Sequence, residues 1–203
     1  MSHVLNIPAN PCSSLANLNC YVVELSLFQA TFLFGIALLL LGGSFLLKYK
    51  PASALARSFP RSKQAGIVLM ILAMAWTGWR VAHLGAADYG NFKQYILIGF
   101  GLLGVLSFRY ASDFLSVRAS TILFLLAADE LLGGAWMRYD QSSRLFMVVP
   151  VYLGIALSLY LAYAPFRVRD FFGWLFANDG RAKKFAGVLA VYGLLVSVIA
   201  FAY

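Results

Sequence analysis

Charged residues are scarce in this sequence. Lysine, arginine, aspartate and glutamate together make up 12% of the 203 residues, whereas hydrophobic residues make up 62%. A soluble domain carries about 25% charged residues, so this chain has too few charges to cover a surface that faces water. A bilayer removes that requirement, because side chains that face lipid are apolar. The composition therefore excludes a soluble globular domain and predicts an integral membrane protein.

Residues that commonly bind metals or carry redox chemistry are also few. The chain has two histidines and two cysteines, and of the histidines only His83 lies in an apolar segment. A haem held by two histidines and a zinc ion held by three are therefore not expected. The sequence also lacks a P-loop, a G-x-S-x-G turn and a C-x-x-C pair. We expect no cofactor, no bound metal and no catalytic residue of these kinds.

The net charge of +8 does not predict a nucleic-acid-binding protein. The basic residues are not gathered on one tail or one helix face, because they flank the apolar segments. The positive-inside bias and the attraction to anionic lipid headgroups produce this distribution. The expected partners are the lipid bilayer, its anionic headgroups and other membrane subunits, with no nucleic acid.

Six apolar stretches are long enough to cross a bilayer, which needs about 20 mostly apolar residues per helix. They lie at about residues 28–47, 65–84, 92–108, 119–136, 145–164 and 185–201. Together with short loops they fill residues 1–203 and leave no room for a second domain. The sequence therefore predicts a single all-α domain, a transmembrane bundle of six helices.

The distribution of basic residues predicts the orientation of these helices. The loops after the first, third and fifth stretches hold 12 of the 16 lysines and arginines, and the positive-inside rule places such loops in the cytoplasm. Both termini then lie outside. The tail at residues 1–20 is uncharged and lacks the basic region of a secretory signal. We expect a multi-pass protein of the inner, or plasma, membrane.

Two cysteines, Cys12 and Cys20, lie in this outer tail. An oxidising compartment outside the membrane permits a disulfide bond, and their spacing lets the chain close. The sequence therefore predicts a disulfide between them.

An adjacent acidic pair, Asp129 and Glu130, interrupts the fourth stretch. If that helix starts near Ala119, the pair lies about 15 Å along it, close to the middle of the bilayer. An acid at that depth costs about 2.5–3.5 kcal/mol, so each one must face the bundle interior, pair with a cation or take up a proton. Because adjacent residues point about 100° apart on a helix, we do not expect the two to share a partner. The expected cation is Arg80, in the outer half of the second stretch.

Other polar residues could join this pair in a cavity that opens outward. Trp76, Arg80 and His83 are spaced for one face of the second helix. One interpretation is a polar cavity lined by Glu24, Arg80, His83, Asp129, Glu130 and Arg138. The other is a buried ion pair that orients two helices, while the remaining side chains extend toward the interface.

The loop before the last stretch is both aromatic and basic. Such a composition suits a short helix that lies in the lipid headgroup layer. One interpretation is that it recognises an anionic lipid or a partner, and the other is that it only anchors the chain at the interface. The candidate headgroup contacts are Arg167, Arg169, Trp174, Arg181, Lys183 and Lys184.

A faint internal repeat links residues 61–69 with residues 181–189. It suggests three hairpins that each have a basic turn. The alternative is that any basic loop before an apolar helix looks similar.

Three functions are compatible with these features. The favoured one is a non-enzymatic subunit or accessory of a membrane complex, because the loops are too short for a soluble active site. The second is a small carrier that uses the polar cavity around Asp129, Glu130 and Arg80. The third is a lipid-modifying enzyme, in which Arg80 and Arg138 hold a phosphate headgroup and an acid acts as base.

Overall fold

The computed structural model describes residues 25–47, 49–83, 92–110, 114–138 and 140–202. These ranges contain eight α-helices and two short 3₁₀ segments, and no β-strand occurs in them. The expected number of six helices is therefore not confirmed. The helices are α1 (Leu27–Leu47), α2 (Tyr49–Ser58), α3 (Lys63–Ala82), α4 (Lys93–Tyr110), α5 (Leu115–Ala135), α6 (Leu145–Tyr163), α7 (Phe166–Leu175) and α8 (Asp179–Ala200).

Four of these helices are long and apolar enough to cross a membrane, as expected of a membrane protein. They are α1, α3, α8, and α6 with the short turn before it, Ser142–Tyr163. Helices α4 and α5 have 18 and 21 residues, but charged side chains shorten their apolar stretches. Lys93 and Arg109 lie near the two ends of α4, and α5 contains Arg118 besides the acidic pair.

The six long helices alternate in direction. Helices α1 and α8 are antiparallel, since Gly42 lies against Ala190 and Gly35 against Gly193. Helix α3 runs antiparallel to α4 and parallel to α5, and α5 runs antiparallel to α6. The contacts that show this are Gly78 with Leu97 and Met74 with Gly104 for α3 and α4, Gly66 with Ser116 and Arg80 with Glu130 for α3 and α5, and Phe124 with Gly154 and Ala135 with Arg144 for α5 and the start of α6.

Small residues let α1 and α8 pack at very short distance. A Cβ atom added to Gly42 would lie 2.7 Å from the backbone nitrogen of Ala190, and one added to Gly193 would lie 2.6 Å from that of Leu39. Such close backbone approach is characteristic of helix pairs in membranes, where van der Waals packing replaces the hydrophobic effect. The main buried cluster joins this pair to α5 and α6 through Leu27, Ala30, Phe34, Ala128, Ala135, Met147, Val151 and Val196.

The two ten-residue helices, α2 and α7, fold together at one end of the bundle. Phe45, Ala56 and Phe172 pack around a buried group formed by Leu175, Phe176 and Ala182. The Nη2 atom of Arg57 also donates a hydrogen bond of 2.7 Å to the carbonyl oxygen of Phe176. We call this end of the molecule, from which α3, α5 and α8 start, the basic end. Its described basic side chains are Arg57, Lys63, Arg109, Arg118, Arg167, Arg169, Arg181, Lys183 and Lys184.

Candidate functional site

An arginine and two carboxylates form an ion-pair group between α3 and α5, which we call the Arg80 triad. The Nη1 atom of Arg80 donates to Oε1 of Glu130 at 2.5 Å, and its Nη2 atom donates to Oδ2 of Asp129. The predicted pairing with Arg80 is confirmed. The expectation that the two acids would not share a partner is wrong, because a guanidinium is a planar fork whose two terminal nitrogens can each bind a different carboxylate.

The triad lies in the second half of α5, and this helix starts earlier than the sequence suggested. Helix α5 begins at Leu115, four residues before the expected start, so Asp129 is the fifteenth of its 21 residues. At the rise of an α-helix, this places Asp129 about 9 Å from the end of α5 at Ala135. Arg80 is two residues from the end of α3. The acids therefore lie in the second half of α5, away from the basic end, and their depth near the middle of a bilayer stays a prediction.

The three side chains differ in exposure. The side chain of Glu130 is 23% exposed, that of Arg80 is 38% exposed and that of Asp129 is 64% exposed. Glu130 is thus partly buried between α3 and α5, whereas most of the Asp129 side chain is exposed at the surface of the molecule. With both acids ionised, two carboxylates face one guanidinium, and the triad carries a net charge of −1.

A glycine extends the open surface around Asp129. Gly133 lies one turn after Asp129 on α5, hence on the same helix face. A Cβ atom added to Gly133 would meet nothing within 4 Å, whereas one added to Gly134 would lie 2.8 Å from the carbonyl oxygen of Leu25. Gly134 therefore packs against the start of α1. Gly133 leaves an open surface without a side chain on α5, next to the exposed carboxylate of Asp129.

Two further residues of the expected polar cavity, His83 and Arg138, do not join the triad. His83 caps the C-terminal end of α3. The centre of its ring lies 4.2 Å from that of Trp79, with the rings tilted by 35°, and its Nδ1 atom lies 2.8 Å from the Trp79 carbonyl oxygen. Arg138 is exposed in the turn after α5 and is not a hydrogen-bonding partner of the triad. Glu24 lies outside the described residues. Of the five predicted residues that the structure describes, it brings together three.

An apolar cavity of about 320 Å³ lies between α3 and α4. The sequence did not predict it, although the glycines of these helices were the available signal. Thr77 and Ser107 supply the polar atoms of its wall. The remaining lining residues are Met70, Ala73, Met74, Gly78, Val81, Leu97, Phe100, Gly101, Leu103, Gly104 and Ile122.

The candidate headgroup contacts are spread over α7 and the first turns of α8. Arg169 forms an ion pair with Asp170 at 3.1 Å. The guanidinium of Arg181 lies 5.4 Å from the ring centre of Trp174, and that of Arg167 lies 5.7 Å from the ring centre of Phe166. Since α8 begins at Asp179, Arg181, Lys183 and Lys184 belong to a helix, and their expected position in a loop is wrong.

Comparison of the chain with protein-family models, curated proteins and solved structures gives no match. Within the described residues, no group of three or more histidine, cysteine, aspartate or glutamate side chains is arranged to hold a metal ion. Cys12 and Cys20 lie outside those residues, so their disulfide stays a prediction. Function must therefore be argued from the geometry of the helices themselves.

Proposed function

We propose that the chain is a six-crossing protein of the inner membrane that acts, without catalysis of its own, as a subunit or accessory of a membrane complex. Helices α4 and α5 would cross with the four apolar helices. Their lengths correspond to about 27 and 32 Å, close to the thickness of about 30 Å of the hydrocarbon core. Their alternating directions and their packing beside α3 and α6 support this arrangement.

The charges of α4 and α5 are compatible with crossing. Lys93 and Arg109 lie near the ends of α4, where long basic side chains reach the headgroups. The acidic pair of α5 is bound to Arg80. The basic end then faces the cytoplasm under the positive-inside rule, and the segments before α1 and after α8 lie outside.

The observation that carries the subunit role is the exposed carboxylate of Asp129. Its side chain is 64% exposed, and an uncovered carboxylate is costly inside a bilayer. A partner helix with a lysine or arginine opposite Asp129 would balance the net charge of the triad. Its backbone could approach closely at Gly133. A second copy of the chain would instead bring another triad of charge −1, so charge disfavours self-association through this face.

Photocrosslinking in native membranes tests this role. A photoreactive phenylalanine at Trp136, seven residues after Asp129, would report the proposed docking face, and one at Val191 of α8, which is 67% exposed, is the control. We expect a discrete protein adduct from position 136 alone, and we expect Asp129→Asn to remove it. Adducts with lipid alone at both positions would contradict a partner on this face.

A small cation carrier is the second candidate, because the triad combines net negative charge with an open carboxylate near the outer end. Purified chain in vesicles should then release or take up a monovalent cation, and Asp129→Asn should abolish the flux. The third function, a lipid-modifying enzyme, gains no support from this geometry. Arg80 is bound to two acids, and Arg138 lies apart from it.

A further inference from the structure

The first turns of α8 carry two cations on a side of the helix that faces away from the bundle. Arg181 and Lys184 are exposed and three positions apart, so they lie on one helix face. The same face continues into Val188, which is 69% exposed, whereas Ala182 and Ala186 are buried. Because α8 is long and apolar enough to cross a membrane, lipid is the expected neighbour of this face.

Three exposed aromatic rings, which we call the aromatic cluster, lie beside these cations. The ring centre of Phe171 lies 6.3 Å from that of Trp174 and 6.0 Å from that of Phe185. The side of α7 that carries Phe172 and Leu175 packs against α2 and α8, which fixes the position of the cluster. Exposed aromatic residues at the end of an apolar helix are typical of the layer between headgroups and hydrocarbon.

The donors of Arg181 are available to an anion. Its guanidinium lies 5.4 Å from the ring centre of Trp174, a cation–π distance, and this contact uses no carboxylate or carbonyl acceptor. Within the described residues, neither Arg181 nor Lys184 forms a salt bridge. The acid that begins the helix, Asp179, lies two positions before Arg181 and therefore about 200° around α8 from it.

The other basic residues predicted to contact headgroups are placed less favourably. Arg169 is bound to Asp170 at 3.1 Å. Arg167 lies in the first turn of α7, about 10 Å along that helix from the tryptophan of the aromatic cluster. Lys183 is two positions after Arg181, so it points about 200° away from it. The cations beside the aromatic cluster are therefore those of Arg181 and Lys184.

We propose that Arg181 and Lys184 bind the phosphate of phosphatidylglycerol in the cytoplasmic leaflet, with the aromatic cluster against the glycerol and the upper acyl chains. A guanidinium binds a phosphate through paired hydrogen bonds, and the lysine adds a second positive charge. Two cations favour a headgroup of net charge −1 over a zwitterionic one, whose own cation they repel. This inference rests on the proposed crossing of the membrane by α8, with the basic end in the cytoplasm, and it is independent of the proposed partner.

Quenching of Trp174 fluorescence by brominated lipids tests this site. The purified chain, with Trp76, Trp79 and Trp136 replaced by phenylalanine, is placed in phosphatidylcholine vesicles that contain increasing fractions of brominated phosphatidylglycerol. A parallel series contains brominated phosphatidylcholine, and the ratio of the two quenching curves gives the relative affinity beside Trp174. We expect phosphatidylglycerol to bind about fivefold more tightly or better.

Lys184→Gln and Lys183→Gln form a matched pair, because each removes one exposed lysine from the same turn of α8. Lys184→Gln should lower the preference for phosphatidylglycerol severalfold, and Arg181→Gln added to it should bring the ratio close to one. Lys183→Gln should keep the preference. Equal losses from the two lysine variants, or no preference in the parent chain, would overturn the site.

Two further measurements keep the result unambiguous. Inorganic phosphate at matched ionic strength should leave the preference unchanged, and its loss would mean that the cations bind a free anion. Native mass spectrometry of the chain with its four tryptophans should show the same preference in retained lipids, and it replaces the quenching if the three phenylalanine substitutions prevent folding.

The outcome separates this site from the proposed function. The vesicles hold no partner and have lipid on both sides, so equal affinity for the two lipids leaves the docking face at Asp129 and the orientation untouched. Failure of the partner crosslink leaves the lipid site untouched. Absence of quenching by either lipid would contradict both the lipid site and the proposed crossing of α8.

Discussion

Arginine is the residue type that suits position 80, because two acids on neighbouring positions point in different directions. The guanidinium offers one nitrogen to Asp129 and another to Glu130. A lysine could not do so, because its charge is on a single ammonium nitrogen. The partly buried Glu130 depends on this contact more than Asp129 does, since exposed ion pairs contribute only about 0–1 kcal/mol.

Double-mutant cycles should reveal this difference. We expect Arg80→Met with Glu130→Gln to show a coupling free energy of about 1–3 kcal/mol. The cycle of Arg80→Met with Asp129→Asn should show a coupling free energy below about 1 kcal/mol, because Asp129 is largely exposed. The measurement is reversible unfolding in mixed micelles. Strictly additive effects in the Glu130 cycle would contradict a stabilising pair, and Arg80→Lys serves as a control that keeps the charge but loses the fork.

Helix α1 illustrates how a single face controls packing at the scale of an element. Its neighbouring glycines have opposite surroundings, because Gly42 touches the backbone of α8 and Gly43 has nothing within 4 Å. The same substitution at Gly42 and at Gly43 should therefore separate the effect of packing on stability from the effect of helix propensity.

We expect Gly42→Leu to destabilise the protein by about 1–3 kcal/mol or more, because backbones must separate to admit the side chain. Gly43→Leu should be neutral or slightly stabilising, since leucine favours the helix more than glycine does. The melting temperatures of the two variants in detergent, measured by the loss of folded protein in size-exclusion chromatography after heating, test this expectation. Similar melting temperatures would show that α1 and α8 are not in close contact.

The sequence predicted some of these elements better than others. Long apolar runs predict helices that are covered by lipid or by neighbouring helices, so the sequence predicted each of the six long helices. Helix α2 was missed because its arginine, proline and serines resemble a loop, and it is stabilised by Phe176 of a distant segment. The pairing of Arg80 was predictable because charges are rare within apolar runs. The distance of the acids from the start of α5 was not predictable, because nothing in the sequence marks Leu115 as the first residue of that helix.

The direction of the whole bundle can be measured from outside the cell. In a chain with Cys12 and Cys20 replaced by serine, an impermeant thiol reagent should label Gln141→Cys in intact cells, because the turn after α5 lies opposite the basic end. Lys183→Cys in α8 should be labelled only after lysis. Both positions are exposed, so access of the reagent is not limiting. Labelling of Lys183→Cys in intact cells would reverse the proposed orientation.

The contact between α1 and α8 also has a consequence for biosynthesis. Gly35 and Gly193 meet across 158 positions of sequence, and ribosomes add about 5–20 residues per second. Helix α1 therefore spends roughly 8–30 s in the membrane before its proper neighbour has been made. During that time its glycine face is open to any other helix with small residues. A chaperone or a lipid that shields this face would raise the yield of correctly assembled protein, and slower translation would lower it.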